Sequence, residues 1–324
     1  MNERPGERQL SVVIPVYNEA DNVGKLYAQL RSVLNSLGRS WEVIFVDDGS
    51  TDGTFAQLKA LYQRQSPAAE GGRLRVLRFR RNFGKAAALA AGFEAAQGEV
   101  VLTMDGDLQD DPQEIPKFLR QLEEGFDLVS GWKKQRRDPF SKRWPSRVFN
   151  WAVSLLTGLS LHDLNCGFKA YRREVIQRLQ ARLYGELHRY IPVLAHAQGY
   201  RVGEIVVAHR PRQRGRSKYG WERFLRGFLD LLTVILLTRY ATRPLHFFGG
   251  TGLLVFLAGL GINLYLTVLW FLHYRPIGTR PLLMLGVLLM ILGVQLISIG
   301  LIGEMIVSRD EPRRKIYVIE KRLE

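Results

Sequence analysis

The sequence predicts an α/β domain with a mainly parallel sheet, followed by a two-helix membrane hairpin. Three observations predict it: short apolar runs alternate with helical patterns over the first half, polar and acidic residues follow those runs, and two long uncharged stretches lie near the C-terminus.

In the first half, strands are expected at Leu10–Val16, Glu42–Val46, Leu74–Phe79, Glu99–Met104 and Phe126–Val129. Helices are expected between them at Asp21–Leu37, Thr54–Arg64, Lys85–Gln97 and Pro112–Glu124. Strand, helix, strand at this spacing implies right-handed crossovers and a parallel sheet. Ligands of such sheets sit at the carboxyl ends of the strands.

Near the C-terminus, Phe247 to Leu272 holds 26 residues without Lys, Arg, Asp, Glu or His, and Pro281 to Gly303 holds 23 more. At about 1.5 Å per residue, each makes a helix of at least about 34 Å, enough for a hydrocarbon core of roughly 30 Å. Soluble helices of that length carry a polar stripe, so these read as membrane spans. The eight-residue link His273–Arg280 makes them a hairpin with both ends on one side. Arg239 and Arg243 precede it and Arg309, Arg313, Arg314 and Lys315 follow it, against Arg275 and Arg280 in the link, which puts the large domain and both termini in the cytoplasm. The expected division is therefore a catalytic domain over 1–220, a juxtamembrane amphipathic helix over 221–243, the two spans over 244–304 (about 247–272 and 281–303), and a tail over 305–324. In that tail, Lys315–Leu323 alternates like a strand that would pair with the sheet or with a neighbouring subunit, which leaves a homo-oligomer open.

Composition narrows the chemistry. The chain has 324 residues, 46 Lys+Arg against 31 Asp+Glu, and a net charge of +15, which asks for a polyanionic partner. Nucleic acid and an anionic bilayer both qualify; the two spans decide for the lipid bilayer and against nucleic acid. One cysteine, Cys166, excludes an intramolecular disulfide and a thiolate metal cluster. It reads as a small packed residue. The N-terminus has no secretory pattern and is expected to stay in the cytosol.

Candidate site residues end the strands. Pro15, Tyr17 and Glu19 follow the first, Asp47 and Asp48 the second, and Asp105-Gly106-Asp107 the fourth. No GxGxxG follows the first strand and no GxxxxGK[ST] occurs, which weakens dinucleotide and P-loop readings. Two carboxylates two apart in a turn, with the Gln109 amide beyond, suit Mg²⁺ or Mn²⁺ on a diphosphate, although such turns also serve as simple solvated caps. Asp47 or Asp48 is placed to accept from a nucleobase imide or a ribose hydroxyl, or to cap a helix. Asn82-Phe83-Gly84-Lys85 is a third turn at the same rim. Lys133 to Arg147 carries seven basic residues and one acid with Phe140 and Trp144 interleaved, a mixture suited to an anionic bilayer surface; Lys133, Lys134, Arg136, Arg137, Arg143 and Arg147 are the candidates there. Arg210 to Lys218 reads as a basic loop able to close over a diphosphate through Arg216 and Lys218. Either basic run also reads as a solvated face.

At these residues the sequence resembles a family-2 glycosyltransferase of the GT-A fold, in the polyprenyl-phosphate subgroup. The stretches that carry the resemblance are VVIPVYNEADNV from Val12, FVDDGSTDGT from Phe45, RNFGKAAALAAG from Arg81, MDGDLQDDP from Met104, DLNCGFKAYRREV from Asp163 and RGRSKYGW from Arg214, followed by the hairpin. The resemblance implies that Pro15, Tyr17, Glu19 and Asp47 line the nucleoside pocket. Asp105 and Asp107 would hold the divalent ion, with Gln109 near. Asp163 would sit where related inverting enzymes place a base, as a base, an acceptor-orienting group or a structural hydrogen-bonder. The implied reaction is sugar transfer from a nucleotide sugar, with UDP-glucose expected, to a polyprenyl phosphate of undecaprenyl or dolichyl type. Processive synthesis is disfavoured, because Phe140 stands where the QxxRW motif needs Gln before Arg143-Trp144. The alternatives are transfer to another lipid such as a diacylglycerol, a non-enzymatic two-span scaffold, or a lipid-sugar translocase.

Overall fold

The computed structural model describes residues 9–64, 72–134, 158–179, 187–208, 243–272 and 281–310, with positions 154, 233 and 240. The chain divides into two units, Met1–Leu231 and Leu232–Glu324.

In the first unit, β1 (Leu10–Val16), β2 (Trp41–Asp47), β3 (Gly72–Arg78) and β4 (Val100–Thr103) are parallel strands in the order β3-β2-β1-β4. Successive residues of a strand face opposite sides, and the cores divide accordingly. Val12, Ile14, Val43 and Phe45 pack with α1 (Ala20–Ser36), α2 (Thr54–Arg64) and α4 (Ile115–Glu123) on one face. Val13, Ile44 and Val46 pack with α3 (Lys85–Ala95), α5 (Arg173–Leu179) and α6 (Ile191–His196) on the other. Both faces are covered, as a parallel sheet requires.

Three further strands complete the sheet: β5 (Leu128–Trp132), β6 (Lys169–Arg172) and β7 (Val202–Val206). The full order is β3-β2-β1-β4-β6-β5-β7, and β6 runs antiparallel to both of its neighbours. One reversed strand in an otherwise parallel sheet fits the expected fold class. Because it is reversed, the segment leading into β6 arrives at the same rim where β4 ends. The fifth strand begins later than the sequence suggests. Phe126 N–H still closes the end of α4 on the Gln121 carbonyl and Asp127 N–H bonds the Arg201 carbonyl, so the ladder starts at Leu128.

In the second unit, α7 (Pro244–Phe271) and α8 (Pro281–Asp310) are both long and apolar enough to cross a membrane. They approach closely at glycines. A Cβ on Gly252 would lie 2.7 Å from the Gly293 carbonyl oxygen, and one on Gly259 only 2.5 Å from that of Gly286. Such small-residue seams let helix backbones pack where lipid removes the hydrophobic drive for association. Glu304 Oε2 accepts from the Leu245 N–H at 3.2 Å, which satisfies an otherwise unpaired donor in the first turn of α7. The second helix runs to Asp310, past the expected end of the span, while the expected amphipathic helix over 221–238 and the strand over 315–323 lie outside the described residues.

Candidate active site

The loops that end β1, β2 and the segment after β3 are tied into one rim. Asn18 adopts a left-handed conformation (φ 57°), which a short amide side chain tolerates. Its N–H donates to Ser50 Oγ at 2.9 Å and its Oδ1 accepts from Thr51 N–H at 2.9 Å. Tyr17, beside it, is exposed and Pro15 half-buried, while Glu19 Oε2 accepts from Asn22 Nδ2 at 2.5 Å. The Asp47 carboxylate is buried, with Oδ1 accepting from Ser50 N–H at 2.9 Å and Oδ2 3.6 Å from Arg78 Nε. Asp48 Oδ1 and Oδ2 accept from the Phe83 and Gly84 N–H groups at 2.7 and 2.9 Å. Asp48 thus fastens the turn that opens α3 and delivers Lys85.

The turn after β4 gathers acidic side chains at the same rim. Gly106 has no Cβ to collide with Val16, whose Cγ1 would lie 2.7 Å away, so the turn lies against the end of β1. Asp105 Oδ1 is ion-paired with Lys85 Nζ, and the Asp105 N–H donates to Asp110 Oδ2 at 3.3 Å. Asp107 Oδ1 accepts from Gln109 N–H at 3.2 Å across Leu108 at φ 62°. The Asp105, Asp107 and Gln109 side chains thus leave one short turn, each half-buried.

Lysines surround this turn. Lys133 Nζ lies 2.8 Å from Asp110 Oδ1, with 7% of its side chain exposed. Expected at the bilayer surface, Lys133 is instead an internal counter-ion of the acidic turn, because burial of Asp110 demands a paired cation. Lys134, next in the chain, is exposed and sits 5.4 Å over the Trp132 ring. Lys169, also buried, donates to the Cys166 carbonyl. Arg136, Arg137, Arg143, Arg147, Arg216 and Lys218 lie outside the described residues.

These neighbours set the charge states. Burial alone would raise the Asp105 carboxyl, but the Lys85 and Lys133 ammonium groups and the Lys85 hydrogen bond outweigh it and hold Asp105 ionised well below the usual carboxylate range. Lys85 and Lys133 are held charged in return, against burial, chiefly by Asp105 and Asp110 respectively. Burial lowers Lys169, and it pushes the Cys166 thiol up to about 12. His188, in the 3-10 turn Leu187–Tyr190, is lowered to about 3 by burial and then by Lys85, Arg189 and Lys169.

The segment before β6 meets the same turn from the other side. Thr103 Oγ1 donates to the Gly167 carbonyl at 2.8 Å, which lays Gly167 beside the Asp105 carboxylate. Four residues upstream, Asp163 is 6% exposed and its Oδ1 accepts from Asn165 N–H at 3.2 Å. Its own N–H donates to Glu204 Oε1 at 2.9 Å. The structure therefore gathers Lys85, Asp105, Asp107, Gln109 and the Asp163–Gly167 segment at one rim. Lys169, His188 and Glu204 were not singled out by sequence reasoning. An acid between apolar neighbours in Val202–Val206 was the one visible signal for Glu204, and nothing marked His188.

Residues 11–180 match the family described as Glycosyl transferase family 2. The chain belongs to that family. It is a glycosyltransferase, and the match spans β1 to the end of α5 and so contains the whole acidic rim. Relatives extend over both units. A dodecaprenyl-phosphate galacturonate synthase of Rhizobium johnstonii is 43% identical, over 92% of this chain and 87% of the relative. An undecaprenyl-phosphate 4-deoxy-4-formamido-L-arabinose transferase of Pseudomonas paraeruginosa is 38% identical over 96% and 89%. Among solved structures, glucosyl-3-phosphoglycerate synthase from Mycobacterium tuberculosis with Mg²⁺ and UDP aligns at a TM-score of 0.52 and 21% identity, covering 71% of this chain and 79% of that one. That likeness establishes the GT-A type of fold for the transferase's first unit.

Proposed function

We propose that this glycosyltransferase moves a sugar from a nucleoside diphosphate carrier to a polyprenyl phosphate at the cytoplasmic face of a membrane, inverting the anomeric centre. The observation that carries the reading is the contact of Asp105 with both Lys85 and Gly167, which joins the donor rim to the segment bearing Asp163. Two helices of membrane-crossing length support a lipid acceptor. The excess of Lys and Arg beyond the helix ends over that in the link supports the cytoplasmic orientation. Relatives named for dodecaprenyl and undecaprenyl phosphate, each similar over both units, support polyprenyl phosphate as the acceptor class.

In the transfer, an acceptor phosphate oxygen bonds to the anomeric carbon while the bond from that carbon to the diphosphate breaks, and the nucleoside diphosphate leaves with the electron pair. Phosphate monoesters have a second pKa near about 6, so the nucleophile is ionised at neutral pH and Asp163 serves to orient the acceptor, without having to act as a strong base. Lys85 is placed to meet charge growing on the leaving diphosphate. Asp105 and Asp107 carboxylates with the Gln109 amide are hard oxygen donors, a set that fits Mg²⁺ or Mn²⁺ completed by substrate phosphates. Among the described residues no three acidic, His or Cys side chains converge, so substrate phosphates would have to complete the ion's coordination. Bound there, the ion would supply further neutralisation of the diphosphate.

The sugar follows the relatives away from the expected glucose. Galacturonate is our assignment, because the galacturonate synthase shares 43% identity. Transferring label from UDP-galacturonate, UDP-glucose and UDP-4-deoxy-4-formamido-L-arabinose into bilayers with undecaprenyl phosphate tests this. Chloroform-extractable label from UDP-galacturonate alone is expected. Label from another donor overturns the sugar, and label only with diacylglycerol present overturns the acceptor.

A further inference from the structure

Asp163 owes its place to a residue on another strand. β5 and β7 lie side by side, with Ser130 opposite Glu204. From β7 the Glu204 carboxylate reaches across to the chain ahead of β6. Its Oε1 and Oε2 accept from the His162 N–H at 3.0 and 3.1 Å, and Oε1 also accepts from the Asp163 N–H at 2.9 Å. The His162 ring nitrogen Nδ1 lies 2.8 Å from Oε2. The same ring stacks on Trp132, at the end of β5, with centroids 4.0 Å apart and planes at 14°. A loop residue is thus held by two neighbouring strands, through its backbone, its ring edge and its ring face.

We infer that Glu204, with His162 stacked on Trp132, is the positioning device for Asp163. The inference rests on the acceptor-orienting role proposed for Asp163 above. A side chain on an unsupported loop would sample several positions, and transfer chemistry loses rate steeply with small misplacements. Glu204 removes that freedom at the two successive amides that lead into Asp163. Its side chain is 10% exposed, so its charge is spent on these donors more than on water. Among the described residues Glu204 shares no hydrogen bond or ion pair with Lys85 or Asp105, so the donor site should be indifferent to its loss.

The test uses the full chain in lipid nanodiscs, with turnover, acceptor KM and nucleotide-sugar Kd measured for Glu204→Gln, Asp163→Asn and the double variant. Glutamine keeps the shape but only one acceptor oxygen. Turnover in Glu204→Gln should fall about tenfold or more with nucleotide-sugar Kd changed by less than about twofold, and in the Asp163→Asn background the same change should cost nothing further. Losses that multiply, or a donor Kd that weakens in step with turnover, would overturn the inference, since either means that Glu204 acts elsewhere. If Asp163→Asn is impaired and Glu204→Gln is not, Glu204 alone loses its role. If Asp163→Asn turns over like the wild type, the reading of Asp163 itself falls. Should Glu204→Gln fail to fold, His162→Ala removes the ring's share of the clamp and leaves both amides in place. It should lower turnover by about threefold, again only when Asp163 is present, and unchanged turnover there overturns the clamp.

Discussion

A Cβ on Gly167 would fall 2.5 Å from Oδ1 of Asp105, so the backbone of one loop lies directly against the carboxylate of another. No side chain fits between them. Gly167→Ala should therefore push the carboxylate off Lys85 and cost on the order of 1–3 kcal/mol in overpacking. Transfer should drop at least about tenfold while the protein still folds; a melting curve and the label-transfer assay check this, and a wild-type rate would show that Asp105 has room to move.

Lys85→Gln removes the cation that contributes most to holding Asp105 ionised. Both side chains are about a third exposed (35% and 30%), so solvent softens the stability loss and the effect should appear mainly in function. Nucleotide-sugar affinity is expected to weaken about tenfold by calorimetry, with a larger fall in turnover, since the lysine meets charge that is greatest in the transition state.

Cys166 is the only cysteine, it is buried, and its thiol is pushed up to about 12. The thiolate is the reactive form, so the native protein should resist iodoacetamide at pH 8 and take one adduct after denaturation, as read by intact mass. Rapid labelling in the native state would mean that the rim opens.

Acid should destabilise the first unit through His188. Its native value is lowered to about 3 from 6.5, so between those pH values the unfolded chain takes up a proton that the folded chain refuses. Stability is therefore full above about pH 6.5 and declines as pH falls, by up to about 1.4 kcal/mol per pH unit from this group. Denaturant titrations at pH 7.5 and 5.5 should show a gap that His188→Gln narrows.

In the hairpin, Gly259→Leu should separate α7 from α8, whereas Gly261→Leu, where an added Cβ meets nothing within 4 Å, should be silent. Trypsin sensitivity of the detergent-solubilised chain distinguishes the two, and equal behaviour would deny the seam.

β1, β2 and β4 were legible because each is a mainly apolar run closed by turn residues, β3 because Leu74, Val76 and Leu77 recur among arginines, and the membrane pair because nothing charged interrupts it. The site was legible only where its residues follow such strands, as Asp105 and Asp107 do. β6 was not, since Lys169–Arg172 has four residues and a charged one at each end, and the buried Lys169 has no sequence mark of burial. Lys133 misled for a related reason. Inside a basic run it looks like surface charge, and only its distant partner Asp110 shows otherwise. Asp48 reads equally well as a ligand contact or a loop fastener until its acceptors find the Phe83 and Gly84 amides.

The reversed strand also bears on how the enzyme is made. β6 sits between β4 and β5, yet it is synthesised after both. A chain emerging from the ribosome with β5 complete but Lys169 still in the exit tunnel has the β4 edge open and β5 without either of its partners, the kind of exposed edge that invites pairing with other chains. Gly167, the neighbour of Asp105, arrives with the strand that fills the slot. The insertion of β6 thus closes the gap in the sheet and, in the same step, lays Gly167 against the Asp105 carboxylate.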